Sequence, residues 1–251
     1  MRKHALIAIL VLAATNLFSQ GSVVDSTLRM SLFQVQAGIY QPFGDMADKY
    51  GSNAMVGFSY AYKTGKNILL GADFGFLFGN NVKDKNSLYR ELRLSNGNVV
   101  GSNDEFINAL ISQRGFTGGF YVGKIFKGLG PNPNSGIVVK LGLEYLEHRT
   151  RIETRQDDFA PLEGDYLKGY DRKIAGFALY EFVGYQFFSN NRYANFFAGF
   201  DFYQGFTTDY RSYNIDLMQK TDNDYFDMLI GFRVGWVIPV YKQAANKFYL
   251  D

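Results

Sequence analysis

Six charged residues stand at positions that alternate with apolar ones, Asp73, Lys140, Glu144, Asp201, Asp227 and Arg233. Carboxylates beside cations can act as general acid and base where one lies within hydrogen-bond reach of a reacting proton. In a narrow enclosed space the same charges neutralise one another instead, and a structural ion-pair core is the expected reading of these six. His148 is the one histidine after His4. At the outer end of a strand it is expected as a rim histidine, since a catalytic role needs a partner whose geometry sequence does not give. Asp157-Asp158 and Asp222-Asn223-Asp224 offer carboxylate oxygens. Neither has the ligand spacing of a defined calcium loop, so no metal is expected. Gly115, Gly118, Gly119 and Gly123 do not open a helix after a strand, which excludes a nucleotide loop and leaves them as small, closely packed strand positions. No catalytic residue and no cofactor is expected.

The elements that must carry these charges are strands. From Tyr225 to Tyr241, residues Phe226, Met228, Ile230, Phe232, Val234, Trp236, Ile238 and Val240 are apolar, with Asp227, Gly231, Arg233 and Gly235 between them. A period of two over this length sets one oily face against one polar face. The run is about twice an ordinary strand and matches a tilted membrane-spanning one. The same alternation predicts strands over 31–40, 54–63, 68–78, 113–126, 137–148 and 193–206. A further strand over 174–187 has two mostly apolar faces, and Glu181 is taken to mark the inward one. Residues 64–67, 127–136 and 189–192 are dense in turn formers, whereas 79–112, 149–173 and 207–224 are long and polar. Gln41-Pro42-Phe43-Gly44-Asp45 is expected to end the first strand, and Pro239 to end the pairing of the last.

Eight strands with alternating short and long connections describe an antiparallel transmembrane β-barrel, with short periplasmic turns and long outside loops. A soluble eight-stranded barrel would place its large apolar side chains inside. Here the inward positions hold Gly, Gln, Ser, Asp, Lys, Glu and Arg. Aromatic girdles are expected at Tyr62, Phe126, Phe187, Tyr193 and Tyr241 on one side and Tyr40, Phe78, Phe116 and Phe206 on the other.

Composition agrees. The chain of 251 residues is 47% hydrophobic and 17% aromatic, with 27 Gly and a net charge of +2. Near-balanced charge offers nothing to a nucleic acid. Arg2-Lys3-His4, the apolar run 5–14 and a polar exit read as a signal peptide over 1–20. The apolar run is too short to span a bilayer as a helix. The absence of cysteine excludes disulfides and a lipoprotein anchor. The expected organisation is signal peptide 1–20, periplasmic segment 21–30, barrel 31–241 and periplasmic tail 242–251.

Gly169-Tyr170-Asp171-Arg172, Gly176-Phe177-Ala178-Leu179, Gly184-Tyr185, Ser189-Asn190-Asn191-Arg192, Asn195-Phe196-Phe197-Ala198-Gly199-Phe200, Gln204-Gly205-Phe206-Thr207, Arg211-Ser212-Tyr213-Asn214 and Gly231-Phe232-Arg233-Val234-Gly235-Trp236 resemble a family of small Bacteroidota outer-membrane barrels. The resemblance spans roughly residues 169–241, and the chain is similar to PorG-like components of the type IX secretion machinery. It implies a non-enzymatic part joining a periplasmic lipoprotein ring to the outer membrane, with Phe248 and Tyr249 of the tail as candidate contacts. Arg233-Val234-Gly235-Trp236-Val237-Ile238 resembles the final-strand signal read by the barrel assembly machinery. The other partners expected are outer-membrane lipids. Two alternatives are a stand-alone surface barrel binding external partners through its loops, and a lipid-A-modifying enzyme using His148.

Overall fold

The computed structural model describes residues 26–83, 88, 99–100, 106–107, 109–154, 169–190, 194–211, 213, 215 and 218–241. The expected signal peptide, Phe248 and Tyr249 of the tail, Asp157-Asp158 and Tyr193 lie outside the described residues. Eight strands close into one barrel: β1 (Met30–Gly44), β2 (Asn53–Lys63), β3 (Ile68–Gly79), β6 (Ala109–Phe126), β7 (Gly136–Thr154), β8 (Ile174–Phe187), β9 (Phe196–Asp209) and β10 (Asp224–Tyr241). β10 pairs back onto β1, and every neighbouring pair is antiparallel. A short helix, α1 (Asp45–Lys49), follows β1, and a two-residue ladder of β4 (Val99–Val100) with β5 (Phe106–Ile107) sits between β3 and β6.

The surface is inverted relative to a soluble protein. Ile39, Phe120, Val35 and Trp236 are 70%, 78%, 63% and 61% exposed, while Arg233, Asp201 and Lys140 are buried. Large apolar side chains outside and charges inside are what hydrocarbon surroundings demand of a closed sheet, so the barrel spans a membrane. No helix among the described residues is long and apolar enough to cross one.

Register fixes the height of each residue. The ladder that leaves Leu32 passes Ala61, Gly71, Tyr121, Gly142, Tyr180, Tyr203 and Leu229 and returns to β1 at Pro42, ten residues further on. This stagger tilts the strands and decides which inward side chains share a level.

Several boundaries differ from the pattern-based expectation. β1 runs on through Pro42 to Gly44, because beyond Tyr40 it has no β2 partner and pairs with β10 alone. Pro239 likewise pairs with Leu32 beyond the last β9 contact at Trp236. Each proline occupies a stretch with one free edge, where a missing N–H removes no ladder bond. β6 and β7 overrun the rim as a two-stranded ribbon, from Ala109 opposite Thr154, after pairing with β3 and β8 has stopped at Gln113 and His148. Clear of lipid, that ribbon has no reason to alternate apolar and polar. Glu181 points outward, between buried Tyr180 and Phe182 on one side of the sheet and exposed Leu179 and Val183 on its own. The inner face of β8 is aromatic, which removed the contrast that would have shown its parity. Tyr40, expected in a girdle, is buried inside.

Candidate functional site

The lumen is the candidate site, and its floor comes first. The turn between β6 and β7 folds inward, so that Asn132, Asn134 and Ser135 are buried. Asn134 Oδ1 accepts from the Leu28 amide at 2.9 Å and from Lys63 Nζ at 2.8 Å, and its Nδ2 donates to the Ser26 carbonyl at 2.9 Å. Thr27 Oγ1 donates to the Gly65 carbonyl at 2.6 Å. Asn132 Nδ2 donates to the Phe188 carbonyl at 2.6 Å, tying this turn to the next. The residues before β1 are thereby fastened across the short-turn mouth.

At mid-height β10 supplies Arg233, paired in register with Gly38 and Gly199, which leave the guanidinium room to cross the lumen. Its Nε donates to Asp201 Oδ2 at 2.5 Å and Nη1 to Asp73 Oδ2 at 3.0 Å. Nη2 donates to the Tyr203 hydroxyl, and Cζ lies 5.3 Å from the Tyr180 ring centre. Tyr40 donates to Asp201 at 2.6 Å, and Gln36 Nε2 reaches both Asp73 oxygens at 3.0 Å. A planar fork between two carboxylates uses the geometry that only arginine offers. Below it Lys140 Nζ lies 4.8, 4.9 and 4.7 Å from the ring centres of Tyr121, Phe182 and Phe197. This aromatic cage holds a cation through ring quadrupoles. Glu144 is buried in the same lumen beside Gly119.

The roof lies under the long loops. His148 Nε2 is 2.8 Å from Asp227 Oδ2, which also accepts from Thr207 Oγ1 at 2.6 Å. Tyr50 packs edge-on against His148, with ring centres 5.6 Å apart, and its hydroxyl is 2.8 Å from Thr150 Oγ1. Helix α1 latches this lid: Asp45 Oδ2 accepts from the Phe226 amide at 2.6 Å, Met46 is buried, and Lys49 Nζ sits 3.7 Å from the Tyr225 ring centre. Burial of the Lys49 ammonium lowers its pKa below the usual lysine value. Gly44 turns the chain into α1 with φ +63°, and a Cβ there would meet the Phe226 carbonyl oxygen at 2.2 Å. Beside the lid Arg211 makes a two-pronged contact with Asp171 at 3.1 and 2.8 Å, and this hydrogen bonding raises the arginine's pKa.

The structure therefore distributes the six expected charges over more than one group. Arg233, Asp73 and Asp201 meet directly. Lys140 and Glu144 share their lumen, with Lys140 held by rings. Asp227 belongs to a separate pair with His148. His148 is fully buried, not at an open rim, because α1 and Tyr50 fold over it. Asp222-Asn223-Asp224 lies on the exposed surface, with Asn223 Nδ2 bonded to Asp209, and no group of three metal-ligating side chains occurs among the described residues. Tyr203 and Gln36 were legible as inward by parity, whereas Tyr40, on the same parity, was expected in the girdle. Asn134 and Tyr50 were not, because long-range folding of turns and loops places their contacts, and Thr207 was missed because the expected strand stopped at 206 whereas β9 runs to Asp209.

No family model and no curated protein matches the chain. Among solved structures it is similar to Neisserial surface protein A (TM-score 0.43, 10% identity, 82% of this chain and 96% of that one). It is also similar to OprG from Pseudomonas aeruginosa (0.40, 12%, 86% and 99%) and to Ail of Yersinia pestis in complex with the heparin analogue sucrose octasulfate (0.39, 12%, 84% and 99%).

Proposed function

We propose that this membrane-spanning barrel resides in the outer membrane of a Gram-negative bacterium and acts there as a non-enzymatic anchor, a PorG-like component that ties the type IX secretion machinery to the membrane. The observation that carries the reading is a lumen closed at three levels, by the Asn134 turn, the Arg233 network and the Tyr50 lid. A sealed barrel offers its surfaces, not a path, and eight strands leave room only for side chains. The short-turn face suits docking, since its turns are cross-braced through Asn132 and Asn134 into one surface, at the end of the barrel where β10 stops at Tyr241, and the sequence that follows carries Phe248 and Tyr249. The sequence resemblance over 169–241 supplies the secretion role and the Bacteroidota setting. Burial of His148 beneath Tyr50 withholds it from a lipid substrate, which favours an anchor over a lipid-modifying enzyme.

A second reading, a surface barrel that binds external partners, draws on the β6–β7 ribbon that projects past the rim with exposed Arg149 and Arg151. Deleting the gene and measuring type IX export, adhesion and lipid A composition separates these. Loss of export together with co-purification of periplasmic machinery, abolished by removing residues 242–251, is the expected result. Intact export with lost adhesion overturns the first reading in favour of the second, and altered lipid A restores the enzyme.

A further inference from the structure

Glu181 is a carboxylate in the wrong solvent. It lies on the outer face of β8, four residues from Phe177 and four from Tyr185. A strand tilted by about 40° gains about 2.5 Å of depth per residue, so each aromatic is about 10 Å away and Glu181 sits at the centre of an apolar band about 25 Å tall. Its cross-strand neighbours are Leu141 and Phe202. Among the described residues the other outward charges of the strands keep to the rims: Lys124 is two residues from the end of β6, and Glu147 is paired with Lys173 at 2.8 Å by the opposite mouth. The Glu181 carboxylate has neither hydrogen bond nor ion pair among the described residues. An intramembrane charge facing outward marks a functional contact with a partner able to satisfy it.

A groove adjoins it. Tyr60, Leu70, Ala72, Phe120, Val122 and Leu141 line an outward depression of about 600 Å³, floored by Gly71 and Gly142. Leu141 forms its edge, and the Glu181 Cβ stands about 5 Å beyond in the next strand. A larger outer groove of about 1050 Å³, running past Val35, Ala37, Phe58 and Trp236, has no charged residue in its lining.

Given membrane residence, we infer that the Ala72 groove and Glu181 together dock a membrane-inserted segment of a second protein, one that brings an arginine or lysine to mid-depth. Three occupants compete for the groove. Acyl chains fill it but offer a carboxylate nothing at that depth, since their polar groups lie at the interface. A second copy of this chain presents at the same level its own Glu181, a like charge, and otherwise apolar outward residues among the described ones, such as Phe74, Leu143, Phe200 and Phe232, so it brings no cation. A foreign segment carrying a cation satisfies both the groove and the charge, and the pair excludes wrong partners because apolar segments leave Glu181 unmet.

The test uses the full chain expressed in its own outer membrane, with a photo-crosslinking amino acid at Leu141 and, as a control, at Ala37 in the uncharged groove. Heat-modifiable migration of each variant in outer-membrane fractions checks folding and membrane residence independently of docking. The expected result is a heterologous crosslink at 141 and none at 37, mapping to a membrane-inserted segment with an arginine or lysine. It falls at least tenfold in Glu181→Leu and in the groove-filling Ala72→Phe, and is lost in Glu181→Lys but restored when the partner's cation is reversed to glutamate. Crosslinks to lipid alone, to a second copy, or to a protein whose capture ignores Glu181→Leu would overturn the inference. A chain absent from the outer-membrane fraction refutes membrane residence instead.

Discussion

Arg233 Nη1 stands 3.0 Å from Asp73 Oδ2 although 160 residues separate them, and its Nε lies 2.5 Å from Asp201. The guanidinium therefore bridges β10, β3 and β9 across the lumen. Arg233→Ala leaves two buried carboxylates facing each other and is expected to cost about 3–5 kcal/mol, read from urea unfolding in detergent micelles or lipid vesicles. Replacing Arg233, Asp73 and Asp201 together by Met, Leu and Leu should recover most of that loss. Equal stability of wild type and Arg233→Ala refutes the bracing role.

Asn134 fastens the residues before β1 to the floor through Leu28, Ser26 and Lys63. Asn134→Ala is expected to weaken this floor by about 1–3 kcal/mol, the usual cost of orphaning buried polar partners. Amide exchange at Leu28 should quicken while exchange in β9 stays unchanged. Planar-bilayer conductance should stay at baseline, since the Arg233 network still fills the barrel. A conducting Asn134→Ala barrel contradicts the sealed lumen.

Tyr50 shields His148. In the wild type His148 is expected to resist diethyl pyrocarbonate, with modification read by mass spectrometry. Tyr50→Ala should expose it, whereas Tyr50→Phe loses only the Thr150 hydrogen bond, about 1 kcal/mol, and keeps the protection. Ready modification of the wild type would mean an open mouth.

Gly184 and Gly199 oppose each other in β8 and β9, and a Cβ on Gly199 would meet the Gly184 Cα at 2.4 Å and the Phe182 ring at 2.7 Å. Phe182 is one wall of the Lys140 cage. Gly199→Ala is expected to destabilise by about 1–3 kcal/mol through overpacking and to move Phe182 off Lys140, seen as altered near-ultraviolet dichroism. Gly118→Ala, whose nearest contact is 3.6 Å, is the matched control and should be neutral by comparison.

Alternation is a local property, and it was legible wherever lipid lay on one side of a strand and polar filling on the other. Phe33, Val35 and Ile39 against Gln34 and Gln36 already declare which way β1 faces. From this the number of barrel strands, their antiparallel closure and the inward set that includes Arg233 and Asp73 could be read in the sequence alone, whereas the β4–β5 ladder fell in a stretch taken as loop. Where one of the two media changed, the signal failed. β8 turns an aromatic face inward, so the parity of Glu181 was taken from its charge and came out reversed. The β6–β7 ribbon leaves the bilayer, and Pro42 and Pro239 sit on one-sided extensions that depend on where neighbouring strands stop. The pairing of His148 with Asp227, and of Arg233 with Asp73 and Asp201, depends on the ten-residue stagger of closure. That stagger is a property of the whole ring, and only the folded barrel sets it.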